Sequence, residues 1–178
     1  MRMDFPAALA ATAIVISAMR PALFGYTERL SATDDAEVLS TVIAIDSGDV
    51  LTANLALQKH VTDRTRDYAR AIKTEEEANI ADAAAVARRL NARLGTSPAG
   101  EQLKHEAEDT RTQLAKLDGT AFEGAYLAAM VKAHTNTLST IDTRLVVRSI
   151  SPDVKTFIAG TRAHVADHLD KATTLQAK

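Results

Sequence analysis

Four stretches of this chain repeat apolar residues every three or four positions over several turns, and this regularity decides most of what the chain can fold into. The first stripe reads Leu39, Val42, Ile45, Asp49, Ala53 and Ala56. The second reads Tyr68, Ile72, Glu76, Ile80 or Ala83, Val86 or Ala87, Leu90 and Leu94. The third carries Phe122, Tyr126, Met130, His134, Leu138, Ile141 and Leu145, and the fourth Val154, Ile158, Thr161, Val165, His168, Ala172 and Leu175. Residues three and four apart share one face of a helix, so each stretch predicts a one-sided helix. Four such helices bury their faces most simply against one another, as a bundle.

Local chemistry sets the expected boundaries. Thr33, Asp34 and Asp35 offer side-chain oxygens to the free amides of a first turn, predicting a helix A that runs to about His60. Thr62 or Asp63 caps helix B, with Gly95 as its stop near Leu94. The segment Gly95-Thr-Ser-Pro-Ala-Gly100 is the clearest loop. Residues 101–117 are amphipathic but weakly apolar and read as a helical crossover, closed by Asp118-Gly119. Helix C follows over about 120–147, and Ser151-Pro152-Asp153 starts helix D. Gly48, inside helix A, gives room for a close helix approach. The domain plan is a signal peptide or N-terminal anchor over 1–25, a linker over 26–35 and a bundle over 36–175.

Composition narrows the chemistry. The chain of 178 residues has 4% aromatics, so its core is built mainly from Ala, Leu, Val and Ile. A net charge of −2 provides no basic field, and no nucleic-acid partner is expected. The chain has no cysteine, which excludes disulfides, thiolate metal sites and cysteine nucleophiles. Phosphate-binding loops, nucleophile elbows and His-Glu-x-x-His are absent, and no catalytic residue is assigned. Arg2 precedes the uncharged run 5–19, which Arg20 and Pro21 end. This is the pattern of a secretory signal, and it is shorter than the roughly 20 residues of a comfortable bilayer span. Periplasmic or cell-envelope location is expected, with association through the N-terminus.

Each stripe contains one ionisable residue: Asp49, Glu76, His134 and His168. A bare buried charge costs several kcal/mol, so such groups need partners, a shifted pKa or a metal. Two carboxylates and two imidazoles suit a divalent transition metal such as iron, copper, zinc or nickel. A polar cluster that merely satisfies the core, with Asp49 bonded to His134 or His168, is the competing reading. Glu75 is a rival for the role of Glu76. His164 and His168 are one turn apart, and His164 is expected to be exposed, as are His60 and His105. Heads that meet within about 5 Å favour a metal, whereas heads dispersed along the axis favour a structural role.

The stretch 118–138, DGTAFEGAYLAAMVKAHTNTL, resembles the hallmark of the bacterial domain-of-unknown-function 4142 family through Phe122, Tyr126, Met130, Val131 and His134. Residues 157–175 are similar to its final helix through His168-Leu169, and Asp49 with Leu55-Ala56 to its first. The resemblance spans about 36–175. It implies an all-α, ferritin-like up-and-down four-helix bundle with a helical crossover between helices B and C, in an exported protein. The family's second helix usually carries Asp-His where this chain has Glu75-Glu76, and the usual Pro before the last His is replaced near Arg162. The resemblance implies no reaction. The leading expectation is non-catalytic binding or an envelope role; the alternative is a metal-binding or metal-dependent redox bundle using Asp49, Glu76, His134 and His168.

Overall fold

The computed structural model describes the backbone of residues 20–177 and the side chains of residues 34–177. The apolar run at 5–19, expected as a signal or anchor, lies outside the described residues. All regular structure among the described residues is helical: α1 (Arg20–Leu57), α2 (Asp63–Arg89), α3 (Pro98–Ala115), α4 (Gly119–Thr140), α5 (Val146–Arg148) and α6 (Pro152–Gln176). A π-helical turn, Ile141–Leu145, joins α4 to α5, so Gly119 to Arg148 form one continuous rod.

The predicted stripes are the buried faces. Leu39, Val42, Ala53, Tyr68, Ile72, Phe122, Tyr126, Met130, Ile158 and Val165 are all inside. They form two apolar clusters. One contains Val38, Val42, Val86, Leu145, Val154 and Ile158 at one end of the molecule; the other contains Ala56, Tyr68, Phe122, Tyr126 and Ala172 at the opposite end. Phe122 stacks on Tyr126 with ring centroids 5.8 Å apart.

Pairings across the helices give the directions. Arg66 reaches the Leu57 carbonyl and Asn79 meets Asp46, so α2 runs against α1. Tyr68 reaches the His168 carbonyl, Thr161 meets Asn79 and Arg89 meets Asp153, so α6 runs against α2. Arg148 holds Asp34 and Glu37, and Asp49 lies beside His134, so α4 with α5 runs against α1. Consequently α2 and α4 run the same way, so the four long helices do not alternate as the expected up-and-down order would have them, and the chain must travel back between them. The crossover α3 does this, lying along α1: Thr41 meets Ser97, Gly48 faces Ala107 and Lys59 reaches the Ala115 and Leu117 carbonyls. A Cβ on Gly48 would sit 2.8 Å from that of Ala107, so glycine is what admits α3 so close.

Several boundaries differ from expectation. The segment 26–35, expected as a linker, belongs to α1, and Asp34 and Asp35 do not cap its start. Asp35 instead accepts the backbone N–H groups of Ile150 (2.9 Å) and Ser151 (3.1 Å), tying α1 to the start of α6. Helix α2 ends before Gly95, because Asn91 takes the left-handed conformation at φ 52°. The Ala92 N–H then returns to the Ala87 carbonyl and the Asn91 N–H to that of Arg88, which closes the helix as a Schellman motif. Thr62 and Ser151 cap α2 and α6 as expected, and Ser97 caps α3.

Candidate metal centre

Helix periodicity places Glu76 on the inner face of α2, His134 on that of α4 and His168 on that of α6. All three are buried, His134 and His168 completely. They stand at the same height between the two apolar clusters, and one donor atom from each lies within 4.8 Å of the others. The Glu76 Oε1 to His168 Nδ1 distance is 3.1 Å, and the two imidazole rings of His134 and His168 are 5.3 Å apart between centroids. Asp49 comes from α1, with Oδ2 3.8 Å from His134 Nε2. The four side chains singled out from the sequence therefore converge, with Asp49 at the margin.

The hydrogen bonds leave the inward atoms free. His134 Nδ1 lies 2.8 Å from the Met130 carbonyl one turn back, an acceptor, so this nitrogen carries the hydrogen and Nε2 presents its lone pair. His168 Nε2 lies 2.8 Å from Glu75 Oε2, which leaves Nδ1 facing Glu76. Among the described residues, His134 Nε2, His168 Nδ1 and Glu76 Oε2 are buried without a hydrogen-bond partner. His168 Nδ1 and Glu76 Oε1 are thus in close electrostatic contact without a formed hydrogen bond.

Two neighbours were not assigned to the site from the sequence. His164 was expected to be exposed, but its side chain is only 23% exposed, with Nε2 3.6 Å from Glu76 Oε1 and its ring 4.2 Å from that of His168. Its one-turn spacing from His168 was the available signal, and the Glu76 carboxylate facing it from α2 decides the matter. Glu75, read as a rival of Glu76, takes part as well, from the outside: it is 40% exposed and holds the far side of His168. Asp46 is a further buried carboxyl, bonded at 2.9 Å to Asn79, whose amide oxygen meets Thr161. His60 and His105 are exposed, as expected, and His60 pairs with Asp118 at 3.0 Å.

Burial governs the charges. Desolvation, reinforced by the Glu76 charge, pushes the Asp49 carboxyl up to about 8. The same two causes raise Asp46. Burial also opposes ionisation of Glu76, yet the imidazoles of His164 and His168 outweigh it and hold that carboxyl well below the usual range. Desolvation and the neighbouring His168 lower His134 to about 4, so its ring is neutral at physiological pH. The close Glu76 carboxylate raises His164. The core thus contains one firmly ionised carboxylate, a neutral imidazole, and in Asp49 a carboxyl that holds its proton up to about 8. Two imidazole nitrogens and carboxylate oxygens suit borderline divalent ions such as zinc, iron, copper or nickel better than calcium or magnesium, which prefer all-oxygen shells.

Fold and cluster together define an all-helical protein with a histidine–carboxylate centre sealed between two apolar layers. The chain belongs to the family described as Domain of unknown function (DUF4142), whose model matches residues 25–175. Neither a curated protein nor a solved structure matches it.

Proposed function

We propose that this protein is an exported helical bundle, ferritin-like in architecture, that binds a divalent transition metal through Glu76, His134 and His168, with Asp49 as a further ligand. One observation carries the reading: three buried residues from three different helices bring ligand-type atoms within 4.8 Å of one another, and each has an inward polar atom without a hydrogen-bond partner. An unpartnered buried polar atom costs about 1–3 kcal/mol, so three in one place are a large penalty that a bound cation removes at once. The outer partners support it. Metal-binding histidines commonly hold a carboxylate or a backbone carbonyl on their other nitrogen, which is what Glu75 and Met130 supply here. Metal binding replaces purely non-catalytic partner binding as the favoured reading, because the four polar heads meet instead of dispersing along the axis.

The basic start and the apolar run at 5–19 support export. The stretch Asp34–Leu57 is also long and apolar enough to cross a membrane, with a mean hydropathy of 1.3. In this fold it packs against α2, α3 and α4 with Asp46 and Asp49 buried, which supports a core helix.

The test is metal binding by chelator-stripped protein. Equilibrium dialysis against zinc, iron(II), copper(II) and nickel, one at a time, is expected to give one ion per chain for at least one metal. At 100-fold excess over the dissociation constant, folding stability rises by about 2.7 kcal/mol, visible as a higher Tm. His134→Ala and His168→Ala abolish both effects, and Glu101→Gln changes neither. Absence of stoichiometric metal and of any melting shift with all four ions would overturn the proposal.

A further inference from the structure

A cluster sealed between apolar layers needs a way in. On the α2/α6 side, Glu75 closes over His168 with a 2.8 Å hydrogen bond, so an ion arriving there has to break that pair. The opposite side is different. A cleft of about 520 Å³ lies between α1, α3 and α4, many times the roughly 30 Å³ share of one water molecule. Its walls include Ala107, Leu114 and Ala129, and Glu106, Asp109 and Lys132 also line it. Asp49 lines it too. Asp49 is itself only 8% exposed. Its Oδ2 is 3.8 Å from the unpartnered Nε2 of His134.

We infer that this cleft is the passage by which a divalent cation reaches the centre, and that Asp49 hands the ion from solvent to His134. The inference rests on the metal-binding reading above. The argument is geometric and electrostatic. Asp49 is the one proposed ligand that belongs to both the cleft wall and the buried cluster. The two carboxylates Glu106 and Asp109 outnumber Lys132 among the other charged lining groups, and a cleft with an excess of negative charge and apolar walls concentrates cations. The crossover α3 supplies both carboxylates, which gives that helix a role beyond connecting α2 to α4.

The experiment is stopped-flow uptake of zinc by the full-length, chelator-stripped protein, with zinc affinity measured on the same samples. Ala129→Phe and Ala133→Phe fill the cleft from α4 without replacing a proposed ligand. Uptake is expected to slow at least tenfold, with stoichiometry unchanged and affinity within threefold. Glu106→Gln with Asp109→Asn is the companion variant on an exposed surface of α3, where folding is not at stake. It should take up zinc severalfold more slowly and lose most of the dependence of rate on salt. Wild-type uptake rates in both variants, with zinc still bound, would overturn the passage and leave the metal site standing. Failure of the wild-type protein to bind zinc, iron(II), copper(II) or nickel would overturn both.

Discussion

Gly48→Ala tests how α3 is held. In an unobstructed helix interior this change stabilises by about 0.8–1.0 kcal/mol, because glycine loses more backbone freedom on folding. Here the new methyl would lie 2.8 Å from the Ala107 Cβ, which is fixed to a helix and cannot swing away. Ordinary carbon contacts are about 3.5–4.0 Å, so α3 and α1 have to part by roughly 1 Å. Overpacking of this kind costs about 1–3 kcal/mol, which exceeds the propensity gain. The expected net effect is a loss of about 1 kcal/mol. Ala107→Gly alone should also cost about 1 kcal/mol, from helix propensity. The double variant moves the single methyl from one helix to the other and should return to within about 0.5 kcal/mol of wild type. The coupling between the sites is then about 2 kcal/mol, well above the roughly 0.3–0.5 kcal/mol scatter of independent sites. Urea denaturation followed by far-UV circular dichroism measures all four proteins. A stabilised Gly48→Ala variant with additive effects would refute the close approach of α3, and with it the narrow wall of the cleft.

Three further outcomes are expected. Glu75→Gln should weaken metal binding by about 10–100-fold at unchanged stoichiometry, as loss of a carboxylate behind a metal-bound imidazole does, and isothermal titration would read it; an unaltered affinity would remove Glu75 from the site. Tyr126 buries a hydroxyl that has no partner among the described residues. Tyr126→Phe should therefore raise stability, by up to the roughly 1–3 kcal/mol that such an orphan costs, whereas a clear loss in thermal or chemical denaturation would mean that the hydroxyl is engaged. In metal-free protein, folded Asp49 holds its proton up to about 8, through burial and the Glu76 charge, while the unfolded chain releases it above about 4. The folded state then binds the extra proton, so the contribution of Asp49 to stability falls as pH rises from about 4 to about 8 and levels off above that. Asp49→Asn should flatten that slope in chelator-treated samples, and parallel pH profiles for the two proteins would contradict the assignment.

Much of this molecule was legible because helix faces are a local property. Val154, Ile158, Thr161, Val165, His168 and Ala172 recur at helical spacing, and all are buried. Caps are local too: Thr62 and Ser151 announce their helices by side-chain chemistry within three residues. The candidate centre was legible for the same reason, since an ionisable residue within an apolar stripe has nowhere to go but inward.

What the sequence could not decide depends on contacts across the fold. Asp35 looks like a cap for its own helix, but it accepts the N–H groups of Ile150 and Ser151 just ahead of α6, the first of them 115 residues away. Asn91 ends α2 ahead of the more obvious Gly95, because a Schellman closure with Ala87 and Arg88 was already complete. Glu75 and Glu76 are adjacent, and only the rotation of α2 against α6 sends one carboxylate into the core and leaves the other behind His168. The sequence by itself determined that each long helix would carry one polar group inward. The tertiary structure decided that these groups meet at one height, that His164 joins them, and that α3 leaves a cleft leading to Asp49. Periodicity determines the direction of a side chain about its own helix axis, whereas the relative heights of helices follow from packing between residues far apart in the chain.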